Sequence, residues 1–90
     1  MNKLFPLGQV VATPGALELF KKNNAEISSY LFRHQGGDWG ELDQEDAEAN
    51  DYAVLSDLRI LSAYIIGNEK IWIITEWDRS YTTILLPSEY

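Results

Sequence analysis

The stretch RILSAYIIGNEKIWIITEWDRSYTTILLP, from Arg59 to Pro87, constrains the fold more than any other part of the chain. It is rich in Ile, Thr, Trp and Tyr, side chains that suit a pleated surface. Gly67-Asn68 matches a two-residue hairpin turn of the primed type, and Asp78-Arg79 supplies a weaker second turn. The stretch therefore predicts a three-stranded antiparallel meander. In that register one face carries Ile60, Ser62, Tyr64, Ile66, Ile71, Ile73, Thr75, Thr82, Ile84 and Leu86. The other carries Leu61, Ala63, Ile65, Trp72, Ile74, Glu76, Tyr81, Thr83 and Leu85. A sheet with one wet face alternates apolar with polar residues; here both faces are mostly apolar and both need cover. Leaving Ile65, Trp72, Ile74 and Leu85 wet forgoes roughly 1.5 to 3 kcal/mol each, a sum comparable with the roughly 5 to 15 kcal/mol that holds a whole domain together. Three short helices can shield one face well; the alternative is that they divide between both faces. The second is expected to meet a twin subunit, a protein partner or the N-terminal segment, with Trp72, Ile74, Tyr81 and Leu85 as its anchors.

Upstream the chain reads as helices, and helices followed by strands indicate an α+β fold. A short apolar run, Gly8 to Ala12, reads as an N-terminal edge strand. Thr13 suits an N-cap and Pro14 a first helical position, so helix one starts near Pro14 and buries Leu17, Phe20 and Ala16. KKNN stops it, and Asn24 is placed to cap helix two. There Ile27, Tyr30, Leu31 and His34 fall on one face at i, i+3, i+4 and i+7. HQGG ends that helix, because glycine reaches left-handed conformations cheaply. LDQEDA begins the next: Asp43 can accept bonds from the free amides of Glu45 or Asp46, and Leu42 and Ala47 form a hydrophobic staple. Helix three runs to about Leu55, with Ala47, Tyr52, Val54 and Leu55 as its apolar content.

Ninety residues accommodate one domain, 1–90, with a single modest core. The chain has no cysteine and one histidine, which removes disulfides, thiolate metal sites and histidine-rich zinc or iron centres. Its longest apolar run, Ile60 to Ile66, falls far short of the roughly 20 residues of a spanning helix. Pro6, Gly8 and Gln9 interrupt the N-terminal apolar patch before any signal-peptide cleavage site, so a cytoplasmic location is expected. A net charge of -7 opposes direct contact with nucleic acid. The acid is concentrated: Asp38, Glu41, Asp43, Glu45, Asp46, Glu48, Asp51 and Asp57 lie between Arg33 and Arg59 with no basic residue among them.

Each candidate chemistry competes with an ordinary structural role. His34 and Asp38 could form a general base and its orienting carboxylate, but no nucleophile elbow accompanies them, and a helix-ending histidine accounts for the same residues. Asp38, Glu41, Asp43 and Glu45 lack the order and the twelfth-position Glu of a calcium loop. Glu76 and Asp78 flank Trp77 as paired carboxylates do in glycosidases; on a hairpin, one of them paired with Arg79 is the simpler expectation. The glycines of GGDWGEL lack phosphate-loop spacing. Trp39 among them is either an exposed anchor or a lid over the core. Glu41, Glu45 and Glu48 sit at i, i+4 and i+7, so a helix beginning one turn early would carry a carboxylate stripe for a basic partner. Such a surface could mimic nucleic-acid charge and inhibit a DNA- or RNA-handling protein.

HQGGDWGELDQED and KIWIITEWDRSYTTILLPSEY, together with FPLGQVVATPGAL, resemble a family of small bacterial proteins labelled plasmid-related, some of them labelled type I restriction modification subunits. The resemblance implies an association with mobile elements and no particular activity. An adenine methyltransferase would carry NPP followed by Tyr or Phe and a glycine-rich cofactor loop, and this chain has neither. The expectation is a non-enzymatic protein-interaction or regulatory module without cofactor or metal, homodimeric through the second face of its sheet. A small enzyme using His34 and Asp38 is the competing class.

Overall fold

A computed structural model describes residues 3–90. Strand β1 (Gln9–Ala12) leads into helices α1 (Pro14–Lys22), α2 (Ile27–Gln35) and α3 (Gln44–Ser56). Strands β2 (Ile60–Ile66), β3 (Glu69–Thr75) and β4 (Tyr81–Leu85) follow, then a single 3-10 turn (Pro87–Glu89). The fold is α+β, helices before the main strands.

The meander forms in the expected register, with Ala63 opposite Trp72 and Ile73 opposite Ile84. Gly67, at φ +63°, supplies the left-handed residue of the first turn. The early apolar run joins as a fourth strand: β1 pairs with β4 in parallel, giving the order β1-β4-β3-β2. Parallel pairing needs a long connection, and here it holds the three helices followed by β2 and β3.

Helix starts follow their caps. Thr13 Oγ1 accepts from Ala16 N–H at 3.2 Å and Asp43 Oδ1 from Asp46 N–H at 2.9 Å. Two expectations need correction. Asn24 does not cap α2; it turns the chain in a left-handed conformation (φ 52°), and Glu26 occupies the cap position. In α1 the inward set is Ala16, Leu19 and Phe20, at i, i+3 and i+4, which leaves Leu17 half exposed. Similarly, α3 turns Asn50 and Ala53 inward and leaves Tyr52 and Leu55 in water.

The core lies on one side of the sheet, here called the front. Ala16, Leu19 and Phe20 of α1 and Ile27, Tyr30 and Leu31 of α2 pack on Tyr64, Ile66, Ile71, Ile73 and Ile84. Beside it, Phe5, Trp39 and Ala53 cover Ile60, supported by the staple residues Leu42 and Ala47.

Candidate functional site

At the centre of the front core sits His34, with no exposed surface. Its Nδ1 lies 2.5 Å from Ser62 Oγ and its Nε2 2.9 Å from Thr75 Oγ1. Thr75 Oγ1 is 2.8 Å from Thr82 Oγ1, and the Thr82 hydroxyl donates to the Leu7 carbonyl at 2.7 Å. The last bond sets the direction of all the others. Thr82 has spent its proton on a carbonyl, so it accepts from Thr75. Thr75 therefore accepts from His34 Nε2–H, and Nδ1 accepts from Ser62. The neutral Nε2–H tautomer follows by counting protons.

Phe5 and Trp39 meet the imidazole edge-on at 5.2 and 6.0 Å. Burial pushes its pKa down to about 3, so the ring stays neutral near pH 7. A catalytic base needs a pKa near the working pH and access to substrate; His34 has neither. Nor does it meet Asp38. The turn at Gly36 and Gly37 carries that carboxylate to the surface, where Arg33 donates to it at 2.7 Å and holds its pKa below the usual range. The partnership of His34 and Asp38 is thus corrected: one is interior structure, the other an exposed ion pair.

Trp39 is the lid, 6% exposed, its indole N–H donating to Asp51 at 3.0 Å. As an exposed anchor it is corrected. Next to it, Gly40 (φ +77°) comes so close to β2 that a Cβ would meet Ala63 O at 1.9 Å. That approach lets Ala63 N–H reach Trp39 O and Glu41 N–H reach Ala63 O. Two residues upstream, the Asn50 side chain donates to Leu61 O at 2.7 Å and accepts from Leu61 N–H at 3.2 Å, standing in for a strand. The β2 edge is therefore closed from Leu61 to Ala63, as edge strands require if they are not to recruit another chain.

The opposite side, the back, is covered differently. Ile74 and Leu85 are 2% and 5% exposed within this one chain, which corrects their assignment as partner anchors. Their cover is the C-terminus. Tyr90 meets the half-buried Trp72 edge-on at 5.8 Å, and the Arg59 guanidinium lies 5.1 Å from the Tyr90 ring centre. Glu89 fastens this segment to the start of α1, accepting from the Thr13 hydroxyl at 2.5 Å, Gly15 N–H at 3.1 Å and Leu86 N–H at 2.9 Å. The Thr13 bond contributes most to keeping the Glu89 carboxyl below its ordinary pKa. Tyr81 and Ile65 remain 44% and 45% exposed.

What the C-terminus leaves uncovered is a cleft of about 620 Å³ between the start of α3 and the back of β2 and β3. Leu61, Ala63 and Trp72 form its apolar floor; Glu41, Asp43 and Asp46 line it with carboxylates, and Lys70 is its one basic residue. This is the most ligand-like surface among the described residues: a concave apolar patch with a few convergent polar groups. Of the expected acidic stripe only Glu41 lines it. Because Asp43 caps α3, the helix starts at Gln44 and Glu41 is held on the β2 edge, so Glu41, Glu45 and Glu48 do not share a helix face. Glu45 and Glu48 are exposed on α3 outside the cleft.

The remaining candidates disperse. The Glu76 carboxylate pairs with Arg59 at 3.8 Å and that of Asp78 caps Ser80 N–H at 3.0 Å, so neither carboxylate pairs with Arg79 as expected. Arg79 instead donates to the carbonyls of Ala53, Leu58 and Glu76, tying α3 to the second turn. No three His, Asp or Glu residues among those described stand close enough to share a metal ion. No described helix is long and apolar enough to cross a membrane. Neither a protein-family model, nor a curated protein, nor a solved structure matches the chain.

Proposed function

We propose that this chain is a non-enzymatic interaction module whose acidic, tryptophan-floored cleft receives a basic segment of a partner protein. One observation carries the reading: Glu41, Asp43 and Asp46 line the same concavity as Leu61, Ala63 and Trp72. An arginine or lysine entering there finds carboxylates for its charge, an indole face for a cation–π contact and apolar surface for its stem. The buried histidine, His34, belongs to an internal hydrogen-bond chain, which favours a binding role over a catalytic one. A regulatory role on a mobile element, in the cytoplasm, fits the resemblance of the sequence motifs.

The nucleic-acid-mimic reading has a distinct supporting observation. Glu45 and Glu48 face solvent on α3, and the described ion pairs, Arg33–Asp38 and Arg59–Glu76, involve neither of them. In that version the partner is a protein whose basic surface otherwise holds phosphates, and the outer face of α3, not the cleft, makes the contact.

Titration of a fluorescent arginine-rich peptide separates the two. Trp72→Ala and Asp43→Asn with Asp46→Asn should weaken binding about tenfold, the equivalent of one cation–π or charge contact near 1.4 kcal/mol. Glu45→Gln with Glu48→Gln should change it less than about twofold. The reverse ranking favours the mimic, and equal losses in both sets reduce the cleft to bulk acidity.

A further inference from the structure

The two edges of the sheet are finished differently, and we infer that the more open one, β1, joins two copies of this chain. At the β2 edge the outward backbone groups of Leu61 and Ala63 are bonded by Asn50, Trp39 and Glu41. At the β1 edge they are not. Gln9 N–H bonds to Ser80 O and Thr13 N–H to Ile84 O, so the odd-numbered residues face β4. Val10 and Ala12 thus present their amides and carbonyls outward, and no described residue bonds to them. The strand itself, QVVA, has no charge, proline or glycine to deter pairing, and Val10 and Val11 are 41% and 40% exposed.

Charge selects a second copy as the occupant. Eight of the fourteen acidic residues lie between Asp38 and Asp57, on and before α3, beside the β2 edge. The rest of the chain holds six acidic and seven basic residues, close to neutral. β1 is at the far side of the sheet from the acidic block. Two copies joined at β1 keep their acidic helices at opposite ends, where screening over more than a Debye length removes most of the repulsion.

Register follows from which groups point outward. A two-fold antiparallel pairing of Val10 with Ala12 of the second copy uses all four free groups of each strand and makes four hydrogen bonds. It also sets Val11 directly opposite its own counterpart, in a close non-hydrogen-bonded pair. The result is one continuous eight-stranded sheet. Four-residue strands bury far less than the roughly 1,200 Å² of a stable complex, so the association is weak and concentration-dependent.

Sedimentation of the intact protein from micromolar to millimolar concentration tests this directly. The mass should rise from 10.3 kDa toward twice that value. Val11→Lys, which sets two ammonium groups face to face, should hold it at the monomer, whereas Val11→Thr should leave the rise intact; circular dichroism confirms that both fold. In a chain without cysteine, Val11→Cys should form a disulfide dimer under mild oxidation at least about tenfold faster than Ile65→Cys on the other edge. A wild-type mass fixed at the monomer, a dimer that survives Val11→Lys, or equal cross-linking at both positions overturns the inference.

Discussion

The front and back of the sheet are made of similar residues yet reach closure by opposite routes. The front is sealed by helices, and its polar groups, Ser62, His34, Thr75 and Thr82, satisfy one another in a single directed chain. The back is covered by a four-residue tail, Pro87 to Tyr90, which packs on one side of Trp72 and leaves open the cleft floored by Leu61, Ala63 and Trp72. A buried polar group costs little only when it is satisfied, as it is on the front; the back keeps a partly covered apolar surface next to carboxylates. Under the proposed function, stability belongs to the first face and recognition to the second.

The sharpest way to break that division is to remove His34. His34→Ala leaves a cavity and strands the Thr75 acceptor and the Ser62 donor, and should cost about 3 to 5 kcal/mol in urea unfolding. A loss below about 1 kcal/mol would mean the front is not the stabilising face.

Acid should act through the same residue. His34 has a folded-state pKa of about 3 against 6.5 when unfolded, so between those values the unfolded chain takes up the proton. Its contribution is complete above pH 6.5 and is lost as the pH falls toward 3. By pH 5 the loss is about 2 kcal/mol. The depressed carboxyls of Asp38, Asp78 and Glu89 act in the same direction but only in the carboxylate range, below about pH 4.5. Urea midpoints at pH 7, 6 and 5 should decline in the wild type and stay level in His34→Gln.

A smaller effect is expected where the faces meet, at the β2 edge. Asn50→Ala unpairs the amide and carbonyl of Leu61 and should cost about 1 to 2 kcal/mol, with hydrogen exchange accelerating at Leu61 before Ile73. At the back, Tyr90→Ala removes one edge-on aromatic contact worth about 1 kcal/mol or less. It should raise the acrylamide quenching of Trp72 while leaving the front unaltered.

Most of this fold was legible in the sequence for local reasons. Gly67-Asn68 and the period-two Ile runs set the meander and its register, and Thr13, Asp43 and HQGG set helix ends within a residue or two. The buried network was half visible: Ser62, Thr75 and Thr82 are hydroxyls on an otherwise apolar face, and His34 lies on the apolar stripe of its helix. Their junction depends on how α2 crosses the sheet, which no local pattern encodes. The C-terminal cover was invisible for a related reason. Glu89 reaches Thr13 across 76 residues and Tyr90 finds Trp72 only after the last strand turns back; such contacts carry no periodicity. The cleft was legible only as its ingredients. Glu41, which spacing groups with Glu45 and Glu48, lines the cleft with Trp72 instead, because α3 starts only after the Asp43 cap.

The central claim, that recognition belongs to the back cleft and stability to the front, meets its most direct test in an amide and indole NMR titration with an arginine-rich peptide at low salt. The three tryptophan indole signals act as separate reporters. The Trp72 indole, the Asn50 side-chain amide and the backbone of Ala63 and Asp46 should shift together and return when salt is raised, while the Trp39 indole and the ring of His34 hold still. Shifts confined to Glu45, Glu48 and their neighbours, or a Trp72 signal that never moves, would contradict it.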